Sequence, residues 1–537
     1  MSATRSHPRH HIALSLAVTG ALALTGCGSP NHPSTAAGKS LVIADSRDVN
    51  KYNPLDGHGE HGNSPIYDGL LQMESSADTS PPQLKPALAD KLPETSEDGL
   101  TWTVSLRKDV TFSDGTTFDA DDVVATYRSI ADPKVATSYA SELAMMESVE
   151  AVDPHTVKFT LKKPYAEFGS RMLMGIAPSE KLDGSPVDKS PLNSKPVGTG
   201  PYVLAESSAE KAVFTANPKH WRGKPEIEKV TYIRVADDNT RAQRMAAGEI
   251  DGTVLPPTLA ATLKNKDNLV HTSVRSVDFR AISLPKTSAF AQDPVGRMAM
   301  NQAVDRQAMV DKILAGEGSP ATTPVPAEMG DAHEPGATIA HDVAAAEKAL
   351  DAAGWVKGDD GVRAKDGQRA GFTLMYAAAD TVRSQIAIAF AADMKKIGVD
   401  ITLEGSTWDK IEPQLGKAGL VLGSGKHPTS IDSLLYNPLH RRDANTTSPY
   451  SNPGNYGSET LDNLLETARH EQDPAARAKT YRDLQTEYAK DPGSVFLLTL
   501  RHTYVAKKGA PGAGKTILEP HVHDAGWGPR WNLGRTR

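Results

Sequence analysis

A chain of 537 residues with one cysteine, Cys27, cannot be held together by disulfides or by a cysteine-ligated zinc ion. Its stability has to come from packed cores. Single cores stop growing at roughly 250–300 residues, so a chain this long divides into at least two lobes. The proportions of 39% hydrophobic and 23% charged residues belong to a folded protein, not to a disordered or fibrous one. A formal net charge of −7 leaves no basic footprint for phosphates, and nucleic acid is not expected as a partner.

The position of the cysteine explains why it is kept. Arg5, Arg9 and the neighbouring histidines form a basic start, and residues 12–24 (IALSLAVTGALAL) form an uncharged apolar run. A spanning helix needs about 20 apolar residues, so this shorter run is the pattern of a cleaved export signal. It ends in Leu24-Thr25-Gly26-Cys27, which resembles the bacterial lipobox. The expectation is a signal peptide over residues 1–26, followed by lipidated Cys27 and a flexible Gly/Pro/Ser/Ala linker, together residues 27–39. A buried core cysteine is the competing reading, and it suits poorly a thiol between two glycines behind a signal core. Two or more acyl chains anchor stably at about 0.8 kcal/mol per buried methylene. The folded body then works on the outer face of a cell membrane, held there by lipid alone.

Along that body, residues 41–44 (LVIA) predict a buried strand, and residues 53–69 (NPLDGHGEHGNSPIYDG) a glycine-rich loop whose backbone can approach a ligand. Trp102, Val104 and Leu106 alternate, and Val110 with Phe112 leads to an Asp114-Gly115 turn, a strand and hairpin pattern. Asp119 stands where an N-cap belongs, ahead of Val123, Val124, Tyr127 and Ile130 at helical spacing. A second hairpin is expected over residues 149–161. Strands at 372–376, 399–403 and 495–500 alternate with helices at 383–397, 459–470 and 474–489, which is α/β organisation.

Two motifs bear on chemistry. Residues 509–516 (GAPGAGKT) fit the phosphate-loop pattern, but Pro520 follows within one turn, so the helix that faces phosphate in such a loop cannot form. No G-x-S-x-G elbow, H-E-x-x-H pair or free nucleophilic cysteine is present, and no enzyme is expected. His58-Gly59-Glu60-His61 brings two imidazoles and a carboxylate together on a flexible loop. These donors suit nickel, zinc or copper, with His58 and His61 as the ligands; a solvated loop with incidental histidines is the competing reading.

Residues 100–130 (LTWTVSLRKDVTFSDGTTFDADDVVATYRSI) closely resemble the signature of the family 5 extracellular solute-binding proteins, the peptide, nickel and opine receptors of ABC importers. PVGTGPYVL at 196–204 and the segments 217–251, 293–321, 346–355 and 393–408 continue the resemblance in the family's order. It implies an α/β, bilobal periplasmic-binding-protein fold (class II, large peptide-binding type) with an extra subdomain inserted in lobe one. Lobe one takes residues 40–70, 197–284 and 492–537, the inserted subdomain 71–196, and lobe two 285–491. Gly198, Thr199 and Gly200 form the expected hinge, since glycine suits a chain crossing between lobes, although an ordinary loop fits the same residues.

The resemblance further implies a monomer that captures a peptide or peptide-like solute and delivers it to ABC permease subunits with separate ATPase subunits. No cofactor is implied. A nickel or metal-chelate receptor of the same fold is the alternative, the chelate entering as cargo, and a lipid-anchored signalling or chaperone protein is a further one. In the family's peptide receptors an aspartate of lobe two anchors the ligand amine; here Lys426-His427-Pro428 stands in its place and Asp432 is the nearest carboxylate. That departure puts unmodified peptides in doubt. His58, Gly59, His61, Trp408, His427, Asp432 and Arg441 are the expected solute contacts, Trp408 by stacking and Arg441 by pairing with carboxylates, the competing readings being packing of Trp408 between the lobes and a solvated Arg441–Arg442 pair.

Overall fold

Asp119 accepts the Asp121 amide at 2.9 Å while its own amide donates to Asp122, a capping box that starts the helix Ala120–Ala131 where the residue pattern places it. The helices Thr381–Lys396, Glu459–His470 and Pro474–Tyr488 likewise begin at side-chain caps, Asp380, Ser458 and Asp473. The computed structural model describes residues 40–47, 51–74, 81–443, 446, 448–512, 516–521, 530 and 533–535. The expected export signal, Cys27 and the linker lie outside the described residues, as do 513–515 of the phosphate-loop match.

The strands are β1 (Ser40–Asp45), β2 (Tyr202–Ser207), β3 (Lys211–Ala216), β4 (Lys229–Arg234), β5 (Gly252–Leu255), β6 (Leu269–Ser283), β7 (Gly318–Pro320), β8 (Gly371–Ala377), β9 (Asp400–Ser406), β10 (Gly419–Ser424) and β11 (Ser494–Lys507). They form one 11-stranded sheet in the order β9-β8-β10-β6-β11-β5-β1-β4-β3-β2, with β7 also on β11. β1 lies parallel to β4 and β5, and β8 parallel to β9 and β10.

Antiparallel β6 and β11 join these two groups. β6 runs 15 residues and β11 runs 14, far beyond the strand expected at 495–500. Residues 279–283 of β6 pair with β10, while residues 503–506 of β11 pair with β5. Between Arg275 and Phe279 the β6–β11 register shifts, and the Val277 amide there donates instead to the Glu519 carbonyl at 2.8 Å.

A separate antiparallel sheet takes Glu94–Thr95, Thr101–Ser105, Thr156–Leu161 and Met146–Asp153, in that order. Its apolar face packs on Ala120–Ala131 through Val104, Val123, Tyr127, Phe159 and Phe168. Each of these buried side chains contributes about 1.5–3 kcal/mol relative to leaving it exposed. The expected hairpin strand at Val110–Phe112 shortens to a single bridge, Thr111 to Thr117, around Gly115. Among the described residues no helix is long and apolar enough to cross a membrane.

Candidate functional site

The glycine-rich loop is shaped by its glycines. Asn53 caps a short 3-10 turn, Pro54–Asp56, and the chain leaves it through Gly57 at φ 85° and Gly59 at φ 72°. A Cβ at Gly57 would stand 2.1 Å from the Tyr139 ring, and one at Gly59 2.3 Å from the Ser64 Cβ. Only glycine satisfies both the dihedral and the space. This tight path turns His58, Glu60, His61 and Asn63 inward, and all four are buried.

His61 meets His427, 366 residues later, with Nδ1 atoms 3.4 Å apart and rings edge to face at 5.0 Å. The Nε2 of His61 lies 3.4 Å from Glu60 Oε1. The His427 amide donates to Ser433 Oγ at 3.1 Å, which fixes the turn that presents its ring. Burial, with His61 and Arg171 nearby, holds His427 well below the usual imidazole range, so it keeps a free lone pair at neutral pH. Two nitrogens bound to one tetrahedral ion at about 2.1 Å stand about 3.4 Å apart, so this spacing admits a shared cation as well as an N–H···N bond. Among the described residues no group of three or more His, Cys, Asp or Glu is arranged to hold a metal ion.

Behind the histidines runs a chain of alternating charge. Lys426 Nζ donates to Glu142 Oε1 at 2.7 Å, and Arg171 Nη2 lies 3.2 Å from Glu142 Oε2. Burial favours a neutral Glu142, but the two cations hold it well below the carboxylate range. Arg171 also donates to the Tyr165 hydroxyl at 3.0 Å, and Tyr165 donates to Asp432 Oδ2 at 3.0 Å. Asp432 is gripped from its other side by the Arg469 fork, with both bonds at 2.9 Å.

The expected solute contacts therefore separate. His61 and His427 meet, while His58, on the same loop, packs between Tyr52 and Tyr67, and Gly59 lies against Ser64; Asp432 is enclosed by Arg469 and Tyr165. Trp408 is 40% exposed, its ring edge-on to Tyr450 and 5.3 Å from the Arg383 guanidinium. Arg441 pairs with Asp462 at 2.6 Å on the surface. Gly198 and Gly200 lie against the backbone of Ile66, and the Thr199 hydroxyl donates to Asp68 at 3.1 Å. Glu142, Tyr165 and Arg171 were not anticipated. Glu142 and Arg171 each carry a lone charge within largely apolar runs (SELAMM and FGSRMLM), a signal of a buried, paired ion.

Residues 83–445 match the model of the bacterial extracellular solute-binding proteins, family 5 middle. Protein XP55 of Streptomyces lividans is 42% identical over 494 residues, 91% of this chain and 89% of that protein. The oligopeptide-binding protein AppA of Bacillus subtilis is 25% identical over 507 residues, 90% of this chain and 92% of that protein. The crystal structure of NikZ from Campylobacter jejuni in complex with Ni(L-His) superposes with a TM-score of 0.83 at 26% identity, covering 93% of this chain and 99% of that one. The expected bilobal α/β binding-protein fold is borne out by these likenesses.

Proposed function

Because the chain belongs to the family 5 bacterial extracellular solute-binding proteins, which bind small ligands and work with ABC permease and ATPase subunits, we propose that it is an importer's receptor for a small metal chelate. The observation that carries the reading is the buried His61–His427 pair, which supplies two imidazoles and leaves the remaining coordination to a small organic ligand. NikZ, described with Ni(L-His), provides a chemical precedent. Peptide capture is the second reading, favoured by buried Asn63: its amide nitrogen and oxygen both lack a hydrogen-bond partner among the described residues, as a contact to a peptide group requires. AppA is the precedent there.

In this proposal β6 and β11 are the crossing strands, residues 40–70, 197–284 and 492–537 form lobe one with 71–196 inserted, and 285–491 form lobe two. The lobes close over cargo about these strands, and Gly198–Gly200 leads from the inserted residues back into lobe one. The body acts as a monomer, tethered through Cys27 to the outer face of the membrane.

Isothermal titration of the purified body with nickel(II) and L-histidine tests the reading. Equimolar uptake is expected, weakened by roughly 100-fold or more in His61→Ala and His427→Ala, since a lost metal ligand costs at least what a lost supporting bond does. Uptake unchanged in both variants, or a peptide that co-purifies and is seen by native mass spectrometry, overturns it.

A further inference from the structure

We propose that Arg535 is a positioning residue for the solute loop, an inference that rests on the site assigned above. Arg535 is buried, and its Nε donates to Asp68 Oδ1 at 3.0 Å, 467 residues away in sequence. Its Nη2 donates to the carbonyls of Ser64 at 2.5 Å and Tyr67 at 2.8 Å. One guanidinium thus spans a carboxylate and two carbonyls on the returning limb of the loop that carries His58 and His61.

Asp68 is the fixed end of this bolt. It also accepts from the Thr199 hydroxyl and the Trp221 indole N–H, both at 3.1 Å. The Trp221 ring is itself held by the guanidiniums of Arg107 at 4.3 Å and Arg222 at 4.4 Å. Burial favours a protonated Asp68, but Arg535 leads the groups that hold it ionised.

The other end is Ser64. Its hydroxyl accepts the Ile66 and Tyr67 amides at 3.0 and 3.1 Å, its side chain fills the space beside Gly59, and the Tyr67 and His58 rings meet edge to face at 6.2 Å. A shift of Ser64 passes to Gly59, between His58 and Glu60. Buried Arg306 is placed differently. That guanidinium also binds carbonyls, among them Phe496 O at 2.8 Å, but Phe496 belongs to β11, already held by its strand ladder. Ser64 and Tyr67 lie in no strand or helix, and the backbone bonds of this limb run through the Pro65, Ile66 and Asp68 carbonyls, so Arg535 is what holds the carbonyls of Ser64 and Tyr67. Lysine cannot replace it, because one ammonium lacks the planar fork that reaches three acceptors in fixed geometry.

Long-range nitrogen–proton spectra of the imidazoles in the ligand-free body test this. Arg535→Ala is expected to shift and broaden the His58 and His61 signals, assigned through His58→Ala and His61→Ala, while His502 stays unchanged. Added methylguanidinium restores the His58 and His61 signals, and Arg535→Lys does not. Affinity for nickel(II) with L-histidine falls by roughly 10–100-fold in Arg535→Ala, the usual cost of losing a residue that supports a ligand. Wild-type His58 and His61 signals in Arg535→Ala, with only a lowered melting temperature, overturn the proposal. If the wild type takes up no nickel–histidine, the cargo reading fails while the imidazole spectra still decide the role of Arg535. Should Arg535→Ala not fold, Arg535→Lys carries the same spectral comparison.

Discussion

Both ring nitrogens of His502 face carboxylates, Nδ1 at 2.7 Å from Glu519 and Nε2 at 3.1 Å from Asp278, so both have to carry protons. Burial alone lowers its pKa, but the two carboxylates prevail and raise it from 6.5 to about 9. A raised folded-state value means stabilisation that is fully present below the ordinary imidazole range and is lost as pH rises through about 9. Wild type is expected to lose melting temperature between neutral pH and pH 10 faster than His502→Gln, whose side chain does not titrate. Parallel curves in differential scanning calorimetry sink this assignment. His427 shows the opposite balance: its neighbours include His61 and Arg171, and it stays neutral. Two histidines of the same intrinsic acidity take opposite charge states because of what surrounds them, and that is not written at either position.

At the scale of elements, the segment around Gly198 and Gly200 and the loop beneath it depend on close backbone approach. The Gly200 amide donates to the Ile66 carbonyl at 2.7 Å, and a Cβ on Gly198 would stand 2.2 Å from that same carbonyl oxygen. Gly198→Ala is therefore expected to destabilise the protein by about 1–3 kcal/mol, the usual cost of forcing atoms into a packed site. Urea unfolding measures it, and an unchanged midpoint contradicts the packing described. Helix starts and hairpin turns were legible in the sequence because a cap bonds an amide two or three residues away. The length of β11 was not. Charged and polar residues from Arg501 to Thr503 read as the end of an apolar strand, yet their backbone continues the ladder against β6 and β5. A strand is defined by its partners as much as by its own alternation.

At the scale of the whole molecule, residues of 142–171 meet residues of 426–477 along one polar seam. Tyr165 bonds Asp432, and Glu167 Oε2 accepts from the Ser430 hydroxyl at 2.6 Å and the Asp432 amide at 3.0 Å. Tyr165→Phe removes one of these bonds, worth about 1 kcal/mol, so opening of the seam should become roughly fivefold more frequent. Hydrogen exchange over residues 426–437 reads this directly, and an unchanged rate shows that the seam is held elsewhere. The sequence by itself determined the order of elements, their caps and turns, the family, and which residue types stood ready in the 58–61 loop and at His427. Only the tertiary structure decided that His61 meets His427, that Asp432 is enclosed by Arg469 and Tyr165, and that Arg535 reaches back to Asp68. Caps and turns depend on neighbours within a few residues, whereas a buried charge is satisfied by whichever partner the folded chain brings beside it.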